Sequence, residues 1–131
     1  MNCGYLLDTH TWLWWNGSPD KLSPRVKAII EDTNNQIFFS IASAWEIAIK
    51  VSIGKLGLPE AAATYIPQRL ADNSFTALAI QLPHVLIAGD LPLLHRDPFD
   101  RILVAQAKHE RLVILSIDHL IAQYQIPVIW K

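Results

Sequence analysis

Five acidic side chains of this 131-residue chain fall where they can act together: Asp8, Glu46, Asp97, Asp100 and Asp118. Asp8 directly follows the apolar run 4–7, and Asp118 directly follows the apolar run 112–117. Asp97 and Asp100 stand at the start of a helical pattern that opens at Pro98. Glu46 lies in the helical pattern behind residues 36–39. Carboxylates gathered in one place repel one another, and a cation at the centre relieves this. An oxygen donor set without clustered cysteine favours a hard ion, Mg2+ or Mn2+, over zinc. Such an ion activates water and neutralises charge developing on a phosphodiester. The chemistry these residues point to is metal-dependent hydrolysis of RNA or DNA.

Each acid taken singly also has a structural explanation. Asp8, Asp97 and Asp118 precede helix starts, where an Asp side chain caps free amides. Pro98 at the first helical position strengthens this for Asp97, which is the acid best explained as a cap. Asp100 complements the helix dipole. Ser43 and Glu46 have capping-box spacing. Ser40, at the end of a strand, is nevertheless the better cap. That leaves Glu46 nearly two turns into the helix, where capping does not account for it.

The elements that must position these acids alternate in type. Strands are expected at 4–7, 36–39, 75–80, 112–117 and 127–130. Helices are expected at 9–15, 24–32, 40–52, 59–71, 83–88, 98–110 and 118–124. Ser23-Pro24 opens the second helix and Gly54 ends the third. Strands separated by helices indicate an α/β fold with a mostly parallel sheet. Right-handed crossovers put every strand's C-terminal end on one edge, where ligand sites of such sheets lie. Asp8 and Asp118 fall on that edge, and Glu46 leans back toward it.

Composition narrows the class. The length fits one domain spanning residues 1–131, and 51% apolar residues suffice for a core. No segment has the roughly 18 apolar residues of a membrane span. The N-terminus lacks the pattern of a signal peptide. The single cysteine, Cys3, excludes an internal disulfide and reads as a small buried hydrophobe. A cytoplasmic protein is expected. A net charge of −1 argues against tight non-specific duplex binding. Lys50, Lys55, Lys108 and Arg111 read as solvated helix faces, whereas Arg96 and Arg101 flank the acids and are candidates for a substrate phosphate. Trp12, Trp14, Trp15 and Trp45 have helical spacing and read as core or dimer contacts. His95 lies near the acids. His10 suits RNA or a hydrogen-bonded surface equally, and His84, His109 and His119 read as structural.

The ordered set of motifs resembles PIN-domain proteins, and within them VapC-type toxins of toxin–antitoxin pairs. The motifs are Leu6-Leu7-Asp8-Thr9-His10, the stretch 40–50 with Ser43 and Glu46, the stretch 95–107 with Asp97 and Asp100, and Ser116-Ile117-Asp118. The resemblance implies a three-layer α/β/α fold with a mostly parallel central sheet. It implies Mg2+- or Mn2+-dependent endoribonuclease activity, a cognate antitoxin and a homodimer. The four acids of the family map to Asp8, Glu46, Asp100 and Asp118. Asp8, Asp100 and Asp118 would hold metal, and Glu46 would position or deprotonate the attacking water. Thr9, Ser43 and Ser116 would orient carboxylates. Asp97 would cap the helix or support the ligands from behind. A catalytically dead RNA-binding or scaffold protein is a competing reading, although all four family acids are present. A phosphotransfer enzyme with an aspartyl nucleophile is another, and His10 stands where its second acid is wanted.

Overall fold

The computed structural model describes residues 4–131, so Cys3 and the reading of the N-terminal residues lie outside it. Five strands form one sheet: β1 (Gly4–Leu7), β2 (Gln36–Ser40), β3 (Thr76–Leu78), β4 (Val113–Leu115) and β5 (Val128–Ile129). The order is β3-β2-β1-β4-β5, and every pairing is parallel. Parallel neighbours need crossovers, and helices supply them. These are α1 (Thr9–Gly17), α2 (Pro24–Glu31), α3 (Ile41–Ser52), α4 (Ala62–Asn73), α5 (Leu82–Asp90), α6 (Pro98–Glu110) and α7 (His119–Ala122).

Alternation along β1 divides the core in two. Leu7 joins Phe39, Ile37 and Leu115 on one face, beneath Trp12 of α1, Val26 of α2, Ile47 of α3 and Tyr65 of α4. Leu6 and Ile114 face the other way, against Leu103 and Val104 of α6 and Ile121 of α7. Leu6 and Leu7 are both fully buried, which identifies β1 as the centre of an α/β/α sandwich. A Cβ at Gly4 would lie 2.6 Å from Leu112 Cδ2, so a larger residue there would displace that leucine side chain.

Local signals account for most boundaries. Ser23 and Ser40 cap α2 and α3, and Gly54 ends the α3 turn with a φ of 74°. The helix expected to start at Pro59-Glu60 instead starts at Ala62. Leu56 and Leu58 pack against the core, so the preceding chain runs along it before turning. Pro67 sits inside α4, which persists although proline donates no amide there. The Trp reading divides as well. Trp12 is fully buried and packs on Phe39 and Tyr65, and Trp14 and Trp15 lie against the same cluster. Trp45 is 60% exposed and meets Phe99 edge-on.

Candidate active site

The strand order reverses direction between β1 and β4, and a parallel sheet opens a crevice at such a point. Asp8 leaves β1 there and Ser116 leaves β4 beside it. Asp8 is the N-cap of α1: Oδ1 accepts the Thr11 amide at 2.8 Å. Its Oδ2 accepts the Ser116 hydroxyl at 2.5 Å, and Ser116 Oγ in turn accepts the Asp118 amide at 2.9 Å. Asp118 Oδ1 caps α7 through the Leu120 amide at 2.8 Å. One serine therefore ties the two strand-end acids together. Capping and clustering are not alternatives here, because the capping bond uses one oxygen of each carboxylate and the second oxygen turns to Ser116 or His95.

Glu46 reaches the same edge from α3. It is buried, with Oε1 accepting from Thr9 Oγ1 at 2.7 Å and Oε2 against Lys50 Nζ at 2.6 Å. Ser43 Oγ lies 2.9 Å from Thr9 Oγ1. Thr9 thus touches the Glu46 carboxylate directly, and Ser43 touches Thr9. Lys50 corrects the expectation of a solvated cation: its ammonium is committed to Glu46, which raises its pKa above the ordinary lysine range. The i,i+4 spacing of Glu46 and Lys50 was the legible signal.

Asp97 caps α6, accepting the amides of Phe99 at 2.8 Å and Asp100 at 3.3 Å. Asp100 then points into the cluster. His95, not assigned a part beforehand, places Nε2 2.9 Å from Asp100 Oδ2 and 3.3 Å from Asp118 Oδ2. His95, Asp100 and Asp118 bring one ligand atom each within 4.8 Å of one another. Arg101 differs from its expected part as a phosphate contact. Its guanidinium bonds the carbonyls of Ala88, Leu91, Pro92 and His95 and the Tyr124 hydroxyl. It pins the segment that carries His95 instead of facing the crevice. Among the described residues Arg96 makes no comparable clasp.

The electrostatics follow from the crowding. Burial, then the charges of Asp97, Asp8 and Glu46, push the Asp100 carboxyl up from 3.8 to about 7, and His95 opposes this. Burial also raises Asp8, against its hydrogen bonds from Ser116 and Thr11. All five predicted acids thus meet at one edge, with the Lys50 ammonium and the His95 imidazole among them. The donor set fits a divalent ion: ionised oxygens held by neighbouring hydrogen bonds, with Asp100 disfavoured as a carboxylate until positive charge arrives.

Fold and cluster define an α/β/α protein with an acidic site at the carboxyl edge of its sheet. The chain belongs to the PIN-domain family, whose PIN domain matches residues 5–126. Over 58 residues it is 43% identical to Ribonuclease VapC16 of Mycobacterium tuberculosis (strain ATCC 25618 / H37Rv). That stretch covers 44% of this chain and 41% of that protein, less than half of either. Among solved structures it resembles VapBC2 from Rickettsia felis bound to a DNA fragment from their promoter, with a TM-score of 0.73 and 17% identity over 98% of this chain and 99% of the other. DNA-bound VapBC from Salmonella typhimurium gives 0.71 and 13%, covering 97% of each chain. At these identities the likeness establishes the fold. Among the described residues no helix is long and apolar enough to cross a membrane.

Proposed function

We propose that this protein is a metal-dependent endoribonuclease and the toxin of a type II toxin–antitoxin pair. The observation that carries the nuclease reading is the convergence of Asp8, Glu46, Asp100 and Asp118 on the switch point of the sheet, with Asp100 pushed to about 7 by its neighbours. The partial match to a protein named ribonuclease, and the fold shared with VapBC complexes, support RNA as substrate and an antitoxin as partner.

Asp8, Asp100 and Asp118 would hold Mg2+ or Mn2+. The bound ion supplies a Lewis acid that neutralises charge on the phosphodiester and lowers the pKa of water. Glu46 accepts a proton from the attacking water. Thr9 and Lys50 hold both its oxygens, so its orientation is set before substrate arrives. A bond forms from the water oxygen to phosphorus, the ester bond opposite it breaks, and the leaving oxygen takes up a proton from solvent, to which Glu46 returns the one it accepted. Ser116 fixes Asp8 relative to Asp118. His95 spans Asp100 and Asp118 and keeps their carboxylates converging, while Arg96 is left to meet a substrate phosphate.

The test is cleavage of labelled single-stranded RNA by the purified protein with Mg2+ or Mn2+, with and without EDTA. Cleavage that requires metal and is lost in Asp8→Asn and Asp100→Asn supports the reading. Wild-type rates in both variants would overturn it. Co-purification with the product of an adjacent small reading frame tests the antitoxin, and light scattering tests the homodimer.

A further inference from the structure

Beside the carboxylates lies an open groove of about 410 Å³ between α1, α3 and the start of α4. Thr9 and Lys50 form part of its wall, and both touch Glu46, so the groove is continuous with the site. Its charge is opposite to that of the cluster. Lys50, Lys55 and Arg69 line it and no Asp or Glu does, in a chain whose net charge is −1. Lys50 is committed to Glu46. Lys55 and Arg69 have no carboxylate partner among the described residues, and Arg69 lies over the Tyr65 ring at 5.1 Å. The rest of the wall mixes the polar His10, Asn16 and Ser18 with an apolar and aromatic part that includes Leu13, Trp14 and Leu56.

Resting on the ribonuclease reading, we propose that this groove binds the single-stranded RNA flanking the scissile phosphate. Lys55 and Arg69 meet backbone phosphates and the Leu13, Trp14 and Leu56 wall receives a base. Cations beside an aromatic wall are what a single strand requires, since its phosphates and exposed base faces are available together. The volume is at the low end of the ~300–1,000 Å³ typical of ligand pockets and suits a nucleotide unit, not a duplex. Two cations without a carboxylate partner among the described residues distinguish this groove from the clasp of Arg101, whose donors are already used.

The test is fluorescence anisotropy of a labelled single-stranded RNA with the full chain in EDTA, titrated across salt. Lys55→Gln with Arg69→Gln is compared with Lys108→Gln with Arg111→Asn, which removes the same charge at the far end of α6. The groove variant should bind about 10-fold more weakly. Its log–log salt slope should flatten by ~1.4, at ~0.7 per phosphate contact in a single strand. Lys55→Gln alone, in an exposed turn, should give half the slope change. Equal losses in the two pairs, or a groove variant that binds like the wild type, overturn the proposal. So does a wild type that binds an acidic peptide there and no RNA, which would make the groove a protein-partner site. Metal-dependent cleavage by the wild type, measured in parallel, separates the outcomes. If cleavage holds while the groove variant binds normally, the groove alone is refuted; if cleavage is absent, the ribonuclease reading fails.

Discussion

Asp100 should make the metal-free protein less stable as pH rises, and Asp100→Asn should remove that loss. Its carboxyl titrates at about 7 in the folded chain and at 3.8 without those surroundings. Between these values the native state binds more protons than the unfolded state, so unfolding free energy falls with pH. The contribution is fully present below about 4 and is lost as pH passes through about 7. Roughly three units at about 1.4 kcal/mol each give a ceiling near 4 kcal/mol. The side chain is 17% exposed, so solvent screening removes only part of this. For a domain of this size that is on the order of 10 °C in melting temperature. The assay is thermal or urea unfolding of wild type and Asp100→Asn in EDTA at pH 4.5 and pH 8. Asn fills the same space without ionising, so the variant should gain on the wild type between the two pH values by a few kcal/mol. Saturating Mn2+ or Mg2+ at pH 8 should stabilise the wild type more than the variant. A pH-independent difference between the two proteins would refute the reasoning, since crowding of the carboxylates predicts a pH-dependent one whatever the reaction.

Other expectations are separable from this one. Ser116→Ala should destabilise the apo protein by about 1.5–3 kcal/mol, through loss of a hydrogen bond to the buried Asp8, and lower RNA cleavage at least tenfold; denaturant unfolding and a cleavage assay read the two effects. Asp97→Ala should cost about 1 kcal/mol of stability, whereas Asp97→Ser should retain most of the cap. Both should move the Asp100 titration down, which carboxyl-detected NMR reads. Arg101→Ala should release residues 88–95 to faster hydrogen exchange and proteolysis, and Arg101→Lys should not restore protection, because one ammonium does not reach four carbonyls and a hydroxyl.

What could be read from the chain follows the range of the interaction involved. Asp8 after β1, Ser40 before α3 and Asp97-Pro98 before α6 act over a few residues, and each starts its helix where expected. The parallel sheet was legible because apolar runs alternate with helical periods. Whether Arg101 faces the crevice or the 88–95 segment depends on partners up to 23 residues away, including Tyr124. No local pattern encodes that choice. His95 is similar: its proximity to Asp97 was visible, but its position between Asp100 and Asp118 depends on β4 returning beside β1. Trp45 has the spacing of a core residue and stays exposed because Ala42 and Ile47 supply the buried face of α3.

The same topology explains how single caps become a cluster of carboxylates. A carboxylate capping the helix after a parallel strand is ordinary, and two such caps on separate edges would do no chemistry. Here β1 sits between β2 and β4, so the caps after β1 and β4 are neighbours, and one serine bridges them. Helices α3 and α6 lie on opposite faces and deliver Glu46 and Asp100 from either side. The four acids are thus held by separate elements, each fixed by its own capping or packing, and none can retreat without disturbing its helix. That rigidity is why repulsion appears as a raised Asp100 titration instead of dispersing into rearrangement. It also predicts that relief must come from outside, as a proton below pH 7 or as a cation above it. Metal affinity, measured by calorimetry, should therefore weaken about tenfold per pH unit below 7, as protons compete for Asp100. An affinity flat between pH 5 and 7 would mean that Asp100 is not a ligand.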